Sequence, residues 1–432
     1  MTGNLQESKR EQTNSRKLHA CWESKPKLAR SLLIPLVVLL SILFAECGSC
    51  GSVTVVAQQT RLEFERSIQV TPDDEFLTGS FARINYVPGT NCFVVTFGIK
   101  ASTEPNTSLG AGYAFKEYDL DLQATGKSGI IQWYPNVTGA GDSGSCMVNN
   151  TYYCAFVSQT NPEYGWTIIK YDATNWTRLE EIFFPLEEPN QGNYDPCVAY
   201  VNGQIDICNQ YNPSGIWQQG FSSRHYFFTA DLQPIGMVTV NDTPHISGAS
   251  IVYEDGIYYY ISANVYNGGL VLMKYDSDWN YLGMKNLMPQ AHWSQGLLSD
   301  GRFFYLAYLD TSLRNPENPE IFFPVYPNVR LAVFDRNWNL IHIENVTDFT
   351  RSDQKKGGRP WVILHGDLLY VSYDVDTVNE TTEEEEMKWQ AYVSVYKILE
   401  EPQGVDLTVP LLTVGIISVA ALAVICTIKK KR

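Results

Sequence analysis

Residues 60–399 lack any stretch of sustained helical periodicity, which excludes a helical fold for most of the chain. The six histidines are scattered without zinc-site spacing, and no glycine-rich phosphate loop joins a strand to a helix. Basic residues are also scarce. The formal net charge is −15, and because residues 1–30 and 429–432 carry +4 each, the segment between them carries −23. Such an acidic segment repels nucleic acid, so we expect no nucleic-acid partner, and we expect no metal or cofactor.

Two short motifs lack residues that their chemistry requires. Residues 141–144 read Gly-Asp-Ser-Gly and resemble the nucleophile segment of trypsin-like serine proteases, but the only preceding histidine is His19, in the basic tail. Asp276 begins a segment that resembles an EF-hand calcium loop, which here has Leu287 where the bidentate glutamate belongs. We interpret Asp276 as a turn residue whose side chain bonds its own backbone.

What the chain does contain is a repeat. An aromatic residue followed by aspartate recurs at intervals of about 45 to 62 residues, and a tryptophan or another large residue follows each time. The step is Tyr118-Asp119, Tyr171-Asp172, Tyr275-Asp276 and Phe334-Asp335, with Asp231 alone in the third copy and Tyr396 alone in the sixth. The residues that follow are Leu122, Trp176, Pro234, Trp279 and Trp338. Six such copies indicate a radial or linear array.

The other half of each repeat predicts a β-hairpin. Turn pairs such as Asn202-Gly203 and Asp255-Gly256 stand between apolar runs rich in β-formers. Four strands per repeat resemble the β-propeller superfamily, so we predict an all-β, six-bladed β-propeller of four-stranded antiparallel blades. The signatures of the sialidase, WD40 and kelch propellers are missing. The resemblance covers about four-fifths of the chain as architecture and implies no activity.

The two ends of the repeat region predict how the ring closes. The sixth copy has only three strands before the repeats end, whereas residues 61–68 form a surplus strand that resembles the fourth strand at 178–182. We therefore predict that residues 61–68 complete the sixth blade, since closure removes the open edge between the first and last blades.

Both ends of the chain predict export and membrane anchoring. Residues 407–428 are an uncharged apolar run followed by the basic tail 429–432, as in a transmembrane helix with a cytoplasmic end. Residues 31–47, behind the basic tail 1–30, resemble a signal peptide or an uncleaved signal anchor. Residues 48–59 and 400–406 are linkers around a propeller at 60–399. We expect a single-pass cell-membrane protein, or a two-pass one if the N-terminal segment is retained.

Glycan acceptors and cysteines fit an exported domain. Seven Asn-X-Ser/Thr acceptors occur, none in either proposed cytoplasmic tail: Asn106, Asn136, Asn149, Asn175, Asn241, Asn345 and Asn379. Cys197 and Cys208 flank one hairpin turn, and Cys146 and Cys154 flank another, so both pairs are candidate disulfides. Ordinary buried thiols are the alternative.

The order of strands separates two faces. The bottom face carries the short turns between first and second and between third and fourth strands, and the top face carries the long, divergent loops and the blade links. Loops on a rigid scaffold hold most binding residues, so we expect the top face to bind a protein or glycan partner. The candidate contacts are Asp195, Tyr211, Trp217, Tyr266, His292 and Trp293. The alternative is a glycoside hydrolase that uses carboxylates at the channel mouth, drawn from Asp142, Asp195, Asp310 and Asp374.

Overall fold

A computed structural model of the protein describes twelve segments of the chain. They are residues 55–71, 80–100, 111–134, 144–157, 165–186, 196–211, 222–240, 245–264, 269–289, 291–310, 326–378 and 389–405. Residues 59–401 form one compact unit.

The described residues form 24 strands in six four-stranded antiparallel sheets, numbered in chain order. The first blade consists of β2 (Ser80–Val87), β3 (Cys92–Lys100), β4 (Ala111–Tyr118) and β5 (Ala124–Tyr134). The second consists of β6 (Gly144–Val148), β7 (Thr151–Val157), β8 (Gly165–Asp172) and β9 (Thr177–Pro185). The third consists of β10 (Cys197–Val201), β11 (Gln204–Tyr211), β12 (Ser222–Phe228) and β13 (Pro234–Val240). The fourth blade consists of β14 (His245–Glu254), β15 (Ile257–Asn264), β16 (Leu270–Asp276) and β17 (Tyr281–Met288). The fifth consists of β18 (Ala291–Ser299), β19 (Phe304–Asp310), β20 (Asn328–Phe334) and β21 (Leu340–Asn345). The sixth blade is β22 (Lys355–His365), β23 (Leu368–Thr377), β24 (Gln390–Val405) and β1 (Val55–Gln69), and a short 3₁₀ helix, Arg351–Asp353, precedes it.

The six sheets form a closed ring, so the protein is a six-bladed β-propeller, as the repeat predicts. The first strand of each blade lies at the centre and contacts the first strands of both neighbouring blades. Six apolar clusters fill the six spaces between blades. The inner strands, such as β19, β20 and β23, bury both faces against neighbouring blades, which explains why they read as continuous apolar runs, whereas the outermost strands are largely exposed.

The closing strand is the one that the sequence predicts. The sixth sheet has the order β1-β24-β23-β22, so the N-terminal strand supplies the outermost position of the last blade. Leu62 is buried in the cluster between the fifth and sixth blades. The Val70 amide donates a hydrogen bond to the Ala391 carbonyl at 2.8 Å, and Ser67 Oγ donates to the Val393 carbonyl at 3.2 Å. The prediction is confirmed.

The aromatic-Asp step forms the turn between third and fourth strands. In the fourth blade, Asp276 Oδ1 accepts hydrogen bonds from the amides of Asp278 at 2.9 Å and Asn280 at 2.8 Å. Asp119 and Asp335 make the same two bonds in the first and fifth blades. The aspartate is therefore a turn residue, as expected for Asp276.

The third copy differs from the prediction. Its equivalent of the aspartate is Thr229, whose Oγ1 accepts from the amides of Asp231 and Gln233, and not Asp231 itself. Leu232, with φ 53°, takes the place that we assigned to Pro234. Pro234 instead pairs with Phe228 in the ladder. A hydroxyl can perform the same acceptor role as a carboxylate, which hid this copy in the sequence.

The large residue after each turn has a left-handed backbone and packs against the preceding blade. Trp176, Trp279 and Trp338 have φ of 60°, 62° and 61°. Trp338 stacks on Phe304 with a centroid distance of 4.1 Å, and its ring also lies 5.5 Å from Tyr259 of the fourth blade. These tryptophans tie neighbouring blades together.

The two faces of the ring follow from this topology. Turns on the bottom face have two to five residues, and connections between second and third strands on the top face have five to seventeen. The described part of the chain contains no helix of the length and apolarity that a bilayer crossing needs. Both predicted membrane segments, 31–47 and 407–428, lie outside it.

Candidate functional site

The top end of the sixth blade holds a group of charged and aromatic side chains. On β23 the residues alternate, so that Tyr373 and Val375 face the fifth blade whereas Ser372 and Asp374 face the first. Ser372 Oγ donates to the Ala82 carbonyl at 2.9 Å. Strand alternation thus directs Asp374 into the space between the last and first blades.

Asp374 is a buried carboxylate with partners on one oxygen. Its Oδ2 accepts hydrogen bonds from the Phe81 amide at 2.8 Å and from Arg359 Nη1 at 3.2 Å. Its side chain has no solvent exposure, and Oδ1 has no partner among the described residues. Burial raises the pKa of Asp374 above its usual value, although the charge of Arg359 opposes this shift.

Two cations and two aromatic rings surround this carboxylate. The Arg359 guanidinium lies 4.0 Å from the Phe81 ring centroid and 4.4 Å from that of Trp389. Lys356 lies 4.6 Å from the Trp389 ring. Arg359 has φ 41°, a strained value for a residue with a side chain. Close packing on several sides holds it there.

A glycine makes this close packing possible. A Cβ atom at Gly358 would lie 2.2 Å from Asp374 Oδ1 and 2.8 Å from the Trp389 ring. The β22–β23 register shifts between Gly358 and Trp361, which lets Arg359 reach Asp374. Lys356 pairs with Asp376 on β23, so a second buried carboxylate lies beside the first.

The other three carboxylates proposed for hydrolysis are placed differently. Asp310 ends β19 on the top face, where its Oδ2 lies 3.3 Å from Arg330 Nε. Asp142 and Asp195 lie outside the described residues. Both described candidates therefore have an arginine partner, in two different blades.

Half of the six predicted binding residues lie outside the described structure. Asp195, Trp217 and Tyr266 are not described, so their grouping stays a prediction. The backbone of Tyr211 ends β11 opposite Ser222, at the top face. His292 and Trp293 lie in β18 where its register shifts.

Polar groups line the central channel. Arg83 donates from Nη1 to the Ser145 carbonyl at 2.9 Å and lies 4.5 Å from the Trp361 ring. Asp206 and His225 form a buried pair, with Oδ2 and Nδ1 at 2.8 Å. A cavity of about 20 Å³ between these strands has room for about one water molecule. The channel is thus filled by side chains at this level.

One predicted disulfide is wrong and the other is not formed. Ser145, not Cys146, pairs with Cys154, because the turn is the two-residue Asn149-Asn150. Cys146 and Cys154 consequently point to opposite faces of the sheet and enter different apolar clusters.

Cys197 and Cys208 do face each other in the ladder, as predicted. Both are free thiols, as are Cys92, Cys146 and Cys154. A hydrogen bond with Cys197, together with burial, raises the pKa of the Cys208 thiol well above its usual value. Cys208 is therefore protonated at neutral pH.

Three of the seven glycan acceptors are described. Asn149, Asn175 and Asn345 are exposed, at a bottom turn, in an aromatic-Asp turn and at the end of β21. Asn106, Asn136, Asn241 and Asn379 are outside the described residues. Use of the acceptors stays a prediction.

Metal binding has no visible basis in this part of the chain. Within the described segments, no three histidine, cysteine or acidic side chains are grouped to hold a metal ion.

Several residues of the blade-six group were absent from the sequence analysis. They are Phe81, Lys356, Arg359, Asp376 and Trp389. Two signals were available: the alternation of Asp374 with Asp376 on one strand face, and the pair of glycines between two basic residues at 356–359.

Comparisons with known proteins bear on architecture alone. No protein-family model and no curated protein matches the sequence. Among solved structures, the chain is similar to a subtype N10 neuraminidase-like protein of an influenza A strain from the little yellow-shouldered bat, with 10% identity and a TM-score of 0.47 over 79% of this chain and 100% of that one. It is also similar to a thermostable family-43 glycoside hydrolase, with 14% identity and a TM-score of 0.39 over 60% of this chain and 89% of that one. The chain is also similar to the catalytic domain of a Coprinopsis cinerea GH62 α-L-arabinofuranosidase, with 11% identity and a TM-score of 0.38 over 60% of this chain and 90% of that one.

Proposed function

We propose that this protein is a membrane-anchored surface protein whose propeller binds a protein or glycan partner through its top face, without chemical conversion. The observation that carries the proposal is the contrast between the two faces. Bottom turns of two to five residues reuse two constructions, the hairpin turn between first and second strands and the side-chain-capped turn between third and fourth strands, whereas the top connections span five to seventeen residues and share no motif. A fixed scaffold with divergent loops on one side is typical of a recognition surface.

The described carboxylates favour binding over hydrolysis. A glycosidase needs two carboxyl groups that reach the scissile bond from opposite sides. Asp374 has no solvent exposure and is held by Arg359, and Asp310 is held by Arg330. A substrate would have to displace these arginines before either carboxyl group could act.

Hydrolysis of a glycoside remains the second candidate function, for one reason. Burial raises the pKa of Asp374, and a raised carboxyl pKa is what a general acid requires. In this alternative Asp142 or Asp195 would supply the other carboxylate.

One experiment separates the two functions. The full chain, displayed on cells, is screened against labelled glycans and surface proteins, and in parallel against a panel of glycosides. We expect saturable binding without turnover. Trp217→Ala should weaken the binding by ~30-fold, the effect of a ~2 kcal/mol anchor residue. Tyr281→Ala is the matched control, because Tyr281 is an exposed aromatic residue on the outer strand of the fourth blade.

Turnover that disappears in Asp142→Asn or Asp195→Asn would replace the binding proposal with hydrolysis. The anchoring part of the proposal has its own test. Protease added to intact cells should remove the propeller and leave a short fragment that ends in residues 429–432. Survival of the whole chain would refute export.

A further inference from the structure

The bottom mouth of the central channel contains a pocket of about 350 Å³. It is formed where β10, β14 and β18 end, in three consecutive blades. This volume is within the range of ~300–1,000 Å³ usual for small-molecule sites. The pocket lies on the opposite face from the proposed partner surface and is entirely within the described residues.

Four polar atoms in or beside this pocket have no partner in the described structure. They are the hydroxyls of Tyr200 and Tyr253, Oε1 of Glu254 and Oδ1 of Asn202. The remaining side-chain polar atoms of Asn202 and Glu254 are hydrogen-bonded within the protein. Asn202 Nδ2 donates to the Tyr258 hydroxyl at 2.9 Å, and Ser299 Oγ donates to Glu254 Oε2 at 2.7 Å. The pocket thus presents two tyrosine hydroxyls, together with acceptor oxygens of Asn202 and Glu254 whose side chains other hydrogen bonds already position.

The pocket also presents an aromatic ring. Tyr200 is 47% exposed, an unusual exposure for a tyrosine on the innermost strand of a blade. Tyr253 is steadied by the Tyr258 ring, with centroids 4.5 Å apart. A flat apolar surface beside unused hydroxyl, amide and carboxylate groups matches a pyranose, which has apolar C–H faces and a rim of hydroxyls.

The charges at the rim select against anions. Glu254 and Asp255 both bind Arg336, so two carboxylates share one guanidinium and leave a negative excess. An acidic sugar would meet repulsion from this excess. A neutral ligand would not.

The floor of the pocket limits the length of a ligand. Ile251 and Leu297 line both this pocket and the small cavity above it. Because that cavity has a volume of only about 20 Å³, room for about one water molecule, a saccharide cannot extend from the pocket into it. Only the end of a ligand can enter.

We propose that the bottom pocket binds the terminal residue of a neutral saccharide, with its ring on Tyr200 and its hydroxyls on Glu254 Oε1, Asn202 Oδ1 and the tyrosine hydroxyls. This site is independent of the top-face surface. Either one can exist without the other.

The test uses the full chain in a detergent that contains no sugar. Saturation-transfer NMR is recorded with the methyl glycosides of glucose, galactose, mannose and N-acetylglucosamine, and with methyl glucuronide as the acidic comparison. We expect saturable binding of at least one neutral glycoside and weaker binding of the glucuronide. Tyr200→Ala should weaken that binding at least ~10-fold, a change of ~1.4 kcal/mol.

The controls keep the result specific. Tyr281→Ala removes a ring of similar exposure, 45% against 47%, and should leave binding unchanged. Thermal melting must show that Tyr200→Ala is folded, and Tyr200→Phe, which keeps the ring, should retain most of the affinity. The inference is overturned if no neutral glycoside binds, if Tyr200→Ala binds like the wild type, or if the glucuronide binds best.

Discussion

At most buried positions an alanine variant is more stable than a glycine variant. At Trp338 we expect the reverse, with Trp338→Gly more stable than Trp338→Ala. Trp338 is 1% exposed and stacks on Phe304 with an interplanar angle of 16°. Truncation of a buried tryptophan costs ~3–5 kcal/mol, a large part of a total stability of ~5–15 kcal/mol. Both variants should therefore be much less stable than the wild type.

The backbone decides the difference between the variants. Trp338 has φ 61°, a conformation that costs a residue with a Cβ ~1–2 kcal/mol and costs glycine nothing. Glycine loses ~0.5–1 kcal/mol more chain entropy than alanine on folding. The balance favours Trp338→Gly over Trp338→Ala by up to about 1.5 kcal/mol.

Urea unfolding followed by far-ultraviolet circular dichroism measures both effects without relying on tryptophan fluorescence. Val333, on the adjacent strand β20, is fully buried and is the matched control. There Val333→Gly should be less stable than Val333→Ala. If Trp338→Ala is clearly the more stable of its pair, or if it loses less than ~1 kcal/mol, the role of Trp338 in tying neighbouring blades together is refuted.

Three further outcomes are expected. Deleting residues 58–68 opens the sixth blade, so size-exclusion chromatography should show aggregates, and a folded monomer would contradict ring closure. Arg359→Leu leaves Asp374 buried without its cation and should cost ~3–5 kcal/mol in urea unfolding. Burial holds the pKa of Asp374 above the unfolded value of 3.8, so ionisation of Asp374 opposes folding. The loss of unfolding free energy in Arg359→Leu should therefore be larger at about pH 8 than at about pH 5. An equal loss at both pH values would show that the Asp374 carboxyl is not the cause. Burial raises the pKa of Cys146 to about 12, so a thiol reagent at neutral pH should label Cys146 only after unfolding, and labelling of the native protein would show that the site is open.

The architecture could be predicted from sequence because its determinants are local. In the first, fourth and fifth blades the aspartate of the turn bonds amides two and four residues ahead, so a fixed residue type recurs at a fixed place. This recurring turn signal, the hairpin turns and the surplus strand at 61–68 were enough to give the blade number and the mode of closure. The prediction failed in the third copy, where Thr229 makes the same bonds with a hydroxyl.

The disulfide error came from a shift of one residue. Centring the hairpin on Asn150 makes Cys146 and Cys154 partners, whereas a turn of Asn149 and Asn150 pairs Ser145 with Cys154. Since strand residues alternate between faces, this shift separates the two thiols. Turn length was the deciding quantity, and the Asn-Asn pair does not specify it.

The sites were less predictable because distant segments build them. Asp374 meets Phe81, which is 293 residues earlier in the chain but in the neighbouring first blade, and meets Arg359 only through the bulge in β22. The bottom pocket similarly combines the ends of strands from three blades. The sequence signals for the first group, alternating aspartates and a glycine pair, do not show which distant residues join it, and the second group leaves no motif.

Ring closure is the claim on which the two faces and both proposed sites depend, and one cross-linking measurement tests it directly. Ser67 of β1 and Ser394 of β24 have their Oγ atoms 3.1 Å apart. Two cysteines at such a distance are within reach of a disulfide. The account predicts that the double variant Ser67→Cys, Ser394→Cys, after mild oxidation and proteolysis, gives a linked peptide pair by mass spectrometry. The pair Ser67→Cys, Ser372→Cys should give none, because Ser372 faces the first blade from an inner strand. Absence of the 67–394 link, with both thiols still reactive, would contradict a sixth blade completed by the N-terminal strand.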